Sequence, residues 1–109
     1  MKENLAEMEC VPCKEGALAL KQPEIQGYCE RLHQEWKVIN RHHLERELTF
    51  PDFRTALDFT NRVGEVAEAQ GHHPDIYLSW GKLRLTLWTH KVDGLTRSDF
   101  VLAAKVDRL

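Results

Sequence analysis

With 109 residues, the chain is long enough for one domain and too short for two. Hydrophobic residues make up 42% and charged residues 29%, while 15 Lys and Arg against 17 Asp and Glu leave a net charge of −2. That ordinary globular balance offers no general attraction for nucleic acid or an anionic membrane, and no apolar run approaches the ~20 residues of a membrane span. The acidic start Met1-Lys2-Glu3-Asn4-Leu5-Ala6-Glu7 lacks a hydrophobic signal core, so the expected location is cytoplasmic. Three Cys, an odd count, argue against a closed disulfide framework. Six His stand out, because imidazole is the side chain that changes charge near neutral pH.

Residues 1–20 carry no clear period and read as an arm with at most one short turn; the domain is expected over 21–109. Pro23 suits a helix's first turn, and Ile25, Tyr28, Cys29 and Leu32 follow as one apolar face. Strands are expected around Trp36–Ile39 and Leu44–Phe50. A second helix is predicted from about Pro51 to Gln70, burying Phe53, Ala56, Leu57, Thr60, Val63, Val66 and Ala67, with Gly71 ending it. From Pro74 to Thr89 the pattern has period two, broken at Gly81-Lys82. Read as a type II′ hairpin turn, that dipeptide pairs Trp80 with Leu83, Leu78 with Leu85 and Ile76 with Leu87 on the apolar face. The same register sets His73 beside His90 at the open end, with His72 next to it. Asp93-Gly94 reads as a turn. Thr96 then caps a third helix with Asp99 in its first turn, and Phe100, Ala103, Ala104 and Val106 supply its apolar side. The order α-β-β-α-β-β-α predicts an α+β two-layer sandwich: a four-stranded antiparallel sheet with three helices on one face.

The run Glu68-Ala69-Gln70-Gly71-His72-His73-Pro74-Asp75, then Trp80, Thr89-His90, Gly94-Leu95-Thr96 and Asp99, resembles the signature of the pterin-4a-carbinolamine dehydratase family. The likeness extends more weakly back through the second helix to Trp36 and Phe50, and Cys10-Val11-Pro12-Cys13 is similar to an arm of bacterial and plant members. The resemblance implies the same sandwich fold and a hydro-lyase activity. The substrate implied is a 4a-hydroxytetrahydropterin, dehydrated to a quinonoid dihydropterin, which recycles the cofactor of aromatic amino-acid hydroxylases. His72, His73 and His90 match the family's active-site histidines and Glu68 and Asp99 its flanking carboxylates, with His72, His73, Pro74, Thr89 and His90 implied as substrate-binding.

Expelling the 4a-hydroxyl requires a proton delivered to the leaving oxygen and another removed from nitrogen. Imidazoles suit both transfers, and neither needs a metal or bound cofactor, so none is expected. Taken singly, each residue has a plainer reading: His72-His73 as a surface turn, Glu68 as a solvated helix position, Asp99 as a helix-start carboxylate. Their joint spacing favours the functional one. His42-His43 matches nothing in the motif and is expected to be solvated in a charged loop. Cys10-x-x-Cys13 has no second ligand pair, which speaks against zinc. The partners expected are the pterin and further copies of the chain, as a homodimer or homotetramer, with neither nucleic acid nor membrane. The alternative is a non-catalytic paralogue, an assembly factor or a coactivator-like binding module, as the resemblance implies for some members.

Overall fold

The computed structural model describes residues 4–11 and 18–109, so Cys13, the second cysteine of Cys10-x-x-Cys13, lies outside the described residues. After a one-turn 3₁₀ helix at Leu5–Glu7 come α1 (Gln22–Cys29), β1 (Lys37–Ile39), β2 (His43–Thr49), α2 (Phe53–Gln70), β3 (Asp75–Ser79) and β4 (Lys82–Leu87). A second 3₁₀ turn at His90–Val92 leads to α3 (Arg97–Val106). The four strands form one antiparallel sheet in the order β1-β2-β4-β3, and the architecture is the expected α+β sandwich. Its centre is the pairing of β2 with β4, from Leu44 opposite Leu87 to Thr49 opposite Lys82.

Period-two alternation turns Leu83, Leu85 and Leu87 inward with Leu44 beside them, and Ile25, Val63, Phe100 and Leu102 close the core. α3 is buried on nearly all sides, from Ser98 to Ala104, more than its expected apolar stripe requires, because α1, α2 and the Leu5–Glu7 turn all pack on it. α2 is rotated from its expected face. Ala56, Phe59, Val63 and Ala67 are buried, Phe53 is exposed, and the Phe59 ring meets Phe50 at 5.4 Å. Asp52 accepts from the Thr55 N–H to open this helix, and Gly71 closes it at φ 65°, the left-handed conformation that glycine adopts at least cost.

The β3–β4 hairpin departs from the expected register by two residues. Leu78 pairs with Leu83 and Ile76 with Leu85, so Trp80-Gly81 is the loop and Trp80 does not pair with Leu83. A shift of two preserves side-chain alternation, but Ile76 and Trp80, expected on the covered apolar face, are exposed, Ile76 on the edge strand and Trp80 in the loop. The reason for the shift lies in Gly81. It does not take the positive φ of a type II′ turn; instead its carbonyl accepts from the Phe50 N–H at 2.8 Å, and a Cβ there would lie 2.9 Å from the Phe50 oxygen. The glycine makes room for the backbone of the neighbouring strand. The β1–β2 turn is the one with positive φ: Asn40 and Arg41 lie at 52° and 56°, and the His42 N–H donates to Ile39 oxygen, as in a type I′ turn.

Candidate active site

Three chain segments converge beyond the open end of the β3–β4 hairpin: the end of α2 with Gly71-His72-His73, the turn Trp88–His90, and the start of α3. The deepest group is Asp99, whose side chain has no exposed surface. It sits in the first turn of α3, where Thr96 N–H donates to Oδ2 at 2.9 Å. Thr89 Oγ1 donates to the same oxygen at 2.7 Å and lies 2.9 Å from Thr96 Oγ1. The remaining oxygen, Oδ1, faces His72 Nε2 at 2.5 Å. Three partners compensate the removal of this carboxylate from water. Since a carboxylate only accepts, Nε2 of His72 is the donor in this bond, and Nδ1 lies outside it.

His73 has the same kind of partner in a looser setting. Its Nε2 meets Glu68 Oε1 at 2.9 Å, but the two side chains are 57% and 81% exposed, so the pair is weak beside the buried one. The helical spacing from Glu68, followed by the left-handed Gly71, brings the chain back over its own last turn and so allows the contact. His90 is exposed, and its ring stacks on Trp88 at 3.9 Å. It does not sit opposite His73, as the expected register required. The observed pairing, continued outward from Asp75 opposite Thr86, sets His73 level with Trp88. His72, His73, Thr89 and His90 nevertheless line one open cleft of about 250 Å³, with Gly71 and Trp88. Pro74 is not among its lining residues; it separates His73 from the first residue of β3.

His72 and Thr89 also line an adjoining cleft of about 340 Å³, whose far wall is the N-terminal arm. There Cys10 N–H donates to Gln70 Oε1 at 2.8 Å, Val11 N–H donates to Ser98 Oγ at 3.0 Å, and the Cys10 thiol donates to Ser98 oxygen. Burial pushes the Cys10 thiol up to about 11, with the nearby charge of Lys105 opposing the rise. A thiol of that kind is protonated at neutral pH and a poor metal ligand or nucleophile. Among the described residues, no group of three His, Cys, Asp or Glu side chains is arranged to hold a metal ion.

His42-His43 is not the solvated pair the sequence suggested. The His42 ring packs on Trp88 at 4.6 Å, its Nε2 lies 2.8 Å from Asp93 Oδ1, and its Nδ1 lies 3.0 Å from His43 Nδ1. Its place follows from the β2–β4 register, which, one step past Leu44 opposite Leu87, sets His43 across from Trp88.

The sheet-and-helix sandwich, with imidazole–carboxylate pairs around a shared cleft, defines a small α+β protein. Sequence comparison makes this specific: the family described as pterin 4 alpha carbinolamine dehydratase matches residues 18–109, and the chain belongs to that family. It is 59% identical to a protein of Alkaliphilus metalliredigens, covering 96% of this chain and 95% of that one, and 58% identical to one of Rubrobacter xylanophilus, covering 96% and 97%. Both bear the name "Putative pterin-4-alpha-carbinolamine dehydratase". A solved transcriptional coactivator/pterin dehydratase from Brucella melitensis superposes with a TM-score of 0.77 at 28% identity, over 83% of this chain and 96% of that one. A pterin dehydratase-like protein described as a RuBisCO assembly factor in the alpha-carboxysome shares the fold, with a TM-score of 0.60 at 20% identity, over 70% and 89% of the two chains. No helix among the described residues is long and apolar enough to cross a membrane.

Proposed function

We propose that the chain dehydrates 4a-hydroxytetrahydropterins to quinonoid dihydropterins and water. The observation that carries this reading is the buried Asp99, which holds one ring nitrogen of His72 while Thr89 and the start of α3 hold the carboxylate. The N5 lone pair of the substrate pushes out the 4a-hydroxyl. An imidazolium proton converts it to water, and an imidazole takes the proton lost from nitrogen, so one water leaves and no net proton is consumed. His72 is the oriented imidazole for one of these transfers. His73, backed by Glu68, and His90 border the same cleft and serve the other transfer and the grip on the ring system, with Thr89 shaping the floor. The names of the close relatives point the same way.

General acid–base assistance is typically worth roughly 10²–10⁴-fold. Replacing His72 or His73 with Ala should therefore lower turnover on that order, measured by stopped flow on freshly generated 4a-hydroxytetrahydropterin with the spontaneous rate subtracted. Full turnover above background in both folded variants would overturn the assignment. A folded wild-type protein with no turnover at all would bring the non-catalytic, assembly-factor reading to the front.

A further inference from the structure

Of the three histidines at the cleft, two are oriented by carboxylates and one is not. Asp99 holds His72 and Glu68 meets His73. Among the described residues the His90 imidazole makes no hydrogen bond, and its ring contact is the indole of Trp88, 3.9 Å away at an interplanar angle of 23°. Trp88 is itself held. It is half-buried just past the end of β4, on the sheet face opposite the core, where it meets the His42 ring at 4.6 Å. His42 is anchored to Asp93 at 2.8 Å.

Asp93 closes the circuit. It follows the 3₁₀ turn His90–Val92, adopts the left-handed conformation at φ 52°, and its N–H donates to the His90 oxygen at 3.2 Å. A non-glycine residue in that conformation is uncommon, and aspartate is among those that tolerate it best. One residue thus shapes the turn that carries His90 and holds the ring that backs Trp88. The contacts run from His90 through Trp88 and His42 to Asp93, and along the backbone to His90 again. His42 comes from the β1–β2 turn, so the circuit also joins the two hairpins of the sheet.

We propose that Trp88 and His42 are positioning residues for His90, giving it by aromatic stacking, anchored at Asp93, the orientation that the other two cleft histidines receive from carboxylates. The consequence for turnover rests on the dehydratase reading; the consequence for ring geometry does not. A planar ring stacked on another planar ring keeps its tilt fixed while leaving both of its nitrogens free, which suits a group that must exchange protons or grip a heterocycle.

The test uses the full chain, with circular dichroism confirming the fold of each variant. Trp88→Leu should lower kcat about tenfold and, because the indole also lines the cleft, shift KM as well, so His42→Ala carries the kcat-against-KM split. Trp88→Phe, which keeps an aromatic face, should recover most of the loss. His42→Ala, which touches no reacting group, should lower kcat severalfold. The readout independent of activity is nuclear magnetic resonance of the His90 ring protons, which the indole displaces from their ordinary positions. They should return towards those positions in Trp88→Leu and move in His42→Ala. Glu47→Gln, which faces Lys82 on the outer side of the sheet, is the control and should move neither readout. Unmoved His90 resonances in folded His42→Ala overturn the proposal, whatever the rate does. If the wild type has no turnover, the dehydratase reading fails and the resonances alone decide the stack. If Trp88→Leu does not fold, His42→Ala carries the test.

Discussion

Replacing Asp99 with Asn changes one atom in a fully buried side chain and reverses the logic of the hydrogen bonds around it. As a carboxylate, Asp99 accepts from Thr96 N–H and Thr89 Oγ1 on one oxygen and meets His72 Nε2 on the other. Asparagine has a single accepting oxygen. Kept towards the two threonines, that oxygen leaves the NH₂ facing His72 Nε2, two donors at a separation of 2.5 Å. Relief comes when His72 moves its proton to Nδ1, the atom otherwise free to exchange with substrate. The variant therefore presents the wrong tautomer and no longer supports an imidazolium with a negative charge. In a buried aspartate–histidine pair of a hydrolase the same exchange costs about 10⁴-fold, and loss of general acid–base assistance alone costs roughly 10²-fold at the lower end. Asp99→Asn should thus lower kcat/KM by about 10²–10⁴-fold, or about 3–5 kcal/mol of transition-state stabilisation. Thr89→Val removes one donor without forcing the tautomer and should cost less. Both follow from stopped-flow dehydration with background subtraction. A folded Asp99→Asn protein with more than half of wild-type turnover would refute the tautomer argument.

Four further outcomes follow. Cys10 should alkylate slowly at pH 8 in the folded protein and faster as pH approaches about 11, by peptide mass mapping; because the unfolded thiol ionises first, near 9.0, the stability contributed by the buried thiol is complete below that pH and lost as pH rises through the folded value. Elemental analysis should find well below one zinc per chain. Asp107→Ala should cost about 3–5 kcal/mol in denaturant unfolding, because Asp107 accepts from Trp36 Nε1 and Arg46 Nη1, and its loss leaves the nearly buried Arg46 without that partner. A small-angle scattering mass should exceed one chain at micromolar concentration, since β3 is a sheet edge with Ile76 and Tyr77 exposed; a mass of one chain would refute self-association.

The parts legible in the sequence were those governed by local rules. Gly71 ends α2, Thr96 and Asp99 begin α3, and period-two leucines mark the inner face of β4; each follows from backbone geometry within a few residues. The Asp99–His72 contact joined two motif positions that spacing alone could place only in the same neighbourhood. Misreadings arose where a distant segment decided the outcome. Gly81 looked like a turn glycine, but its lack of a side chain answers to the backbone of Phe50, and the hairpin register moves by two residues accordingly. Phe59 rather than Phe53 is buried because it meets Phe50. His42 seemed solvated because nothing nearby in sequence reveals that β2 lies beside β4. Outside the motif, composition is silent about which histidine will find an indole.

The two hairpins of the sheet are each made of neighbours in sequence, but the seam between them, β2 against β4, joins residues on either side of the 18-residue α2. Local hairpins form in about 1–10 μs, and closing the seam must additionally overcome the chain entropy of the intervening segment. Trp88 sits at the end of that seam with an imidazole from each side against its ring, whereas Trp36 is buried beside Asp107 and Trp80 lies exposed in the hairpin loop. Its emission therefore reports the docking of one hairpin on the other. In a refolding experiment on a protein with Trp36 and Trp80 replaced by Phe, a late change in Trp88 emission would mark the moment at which the two hairpins meet along this seam.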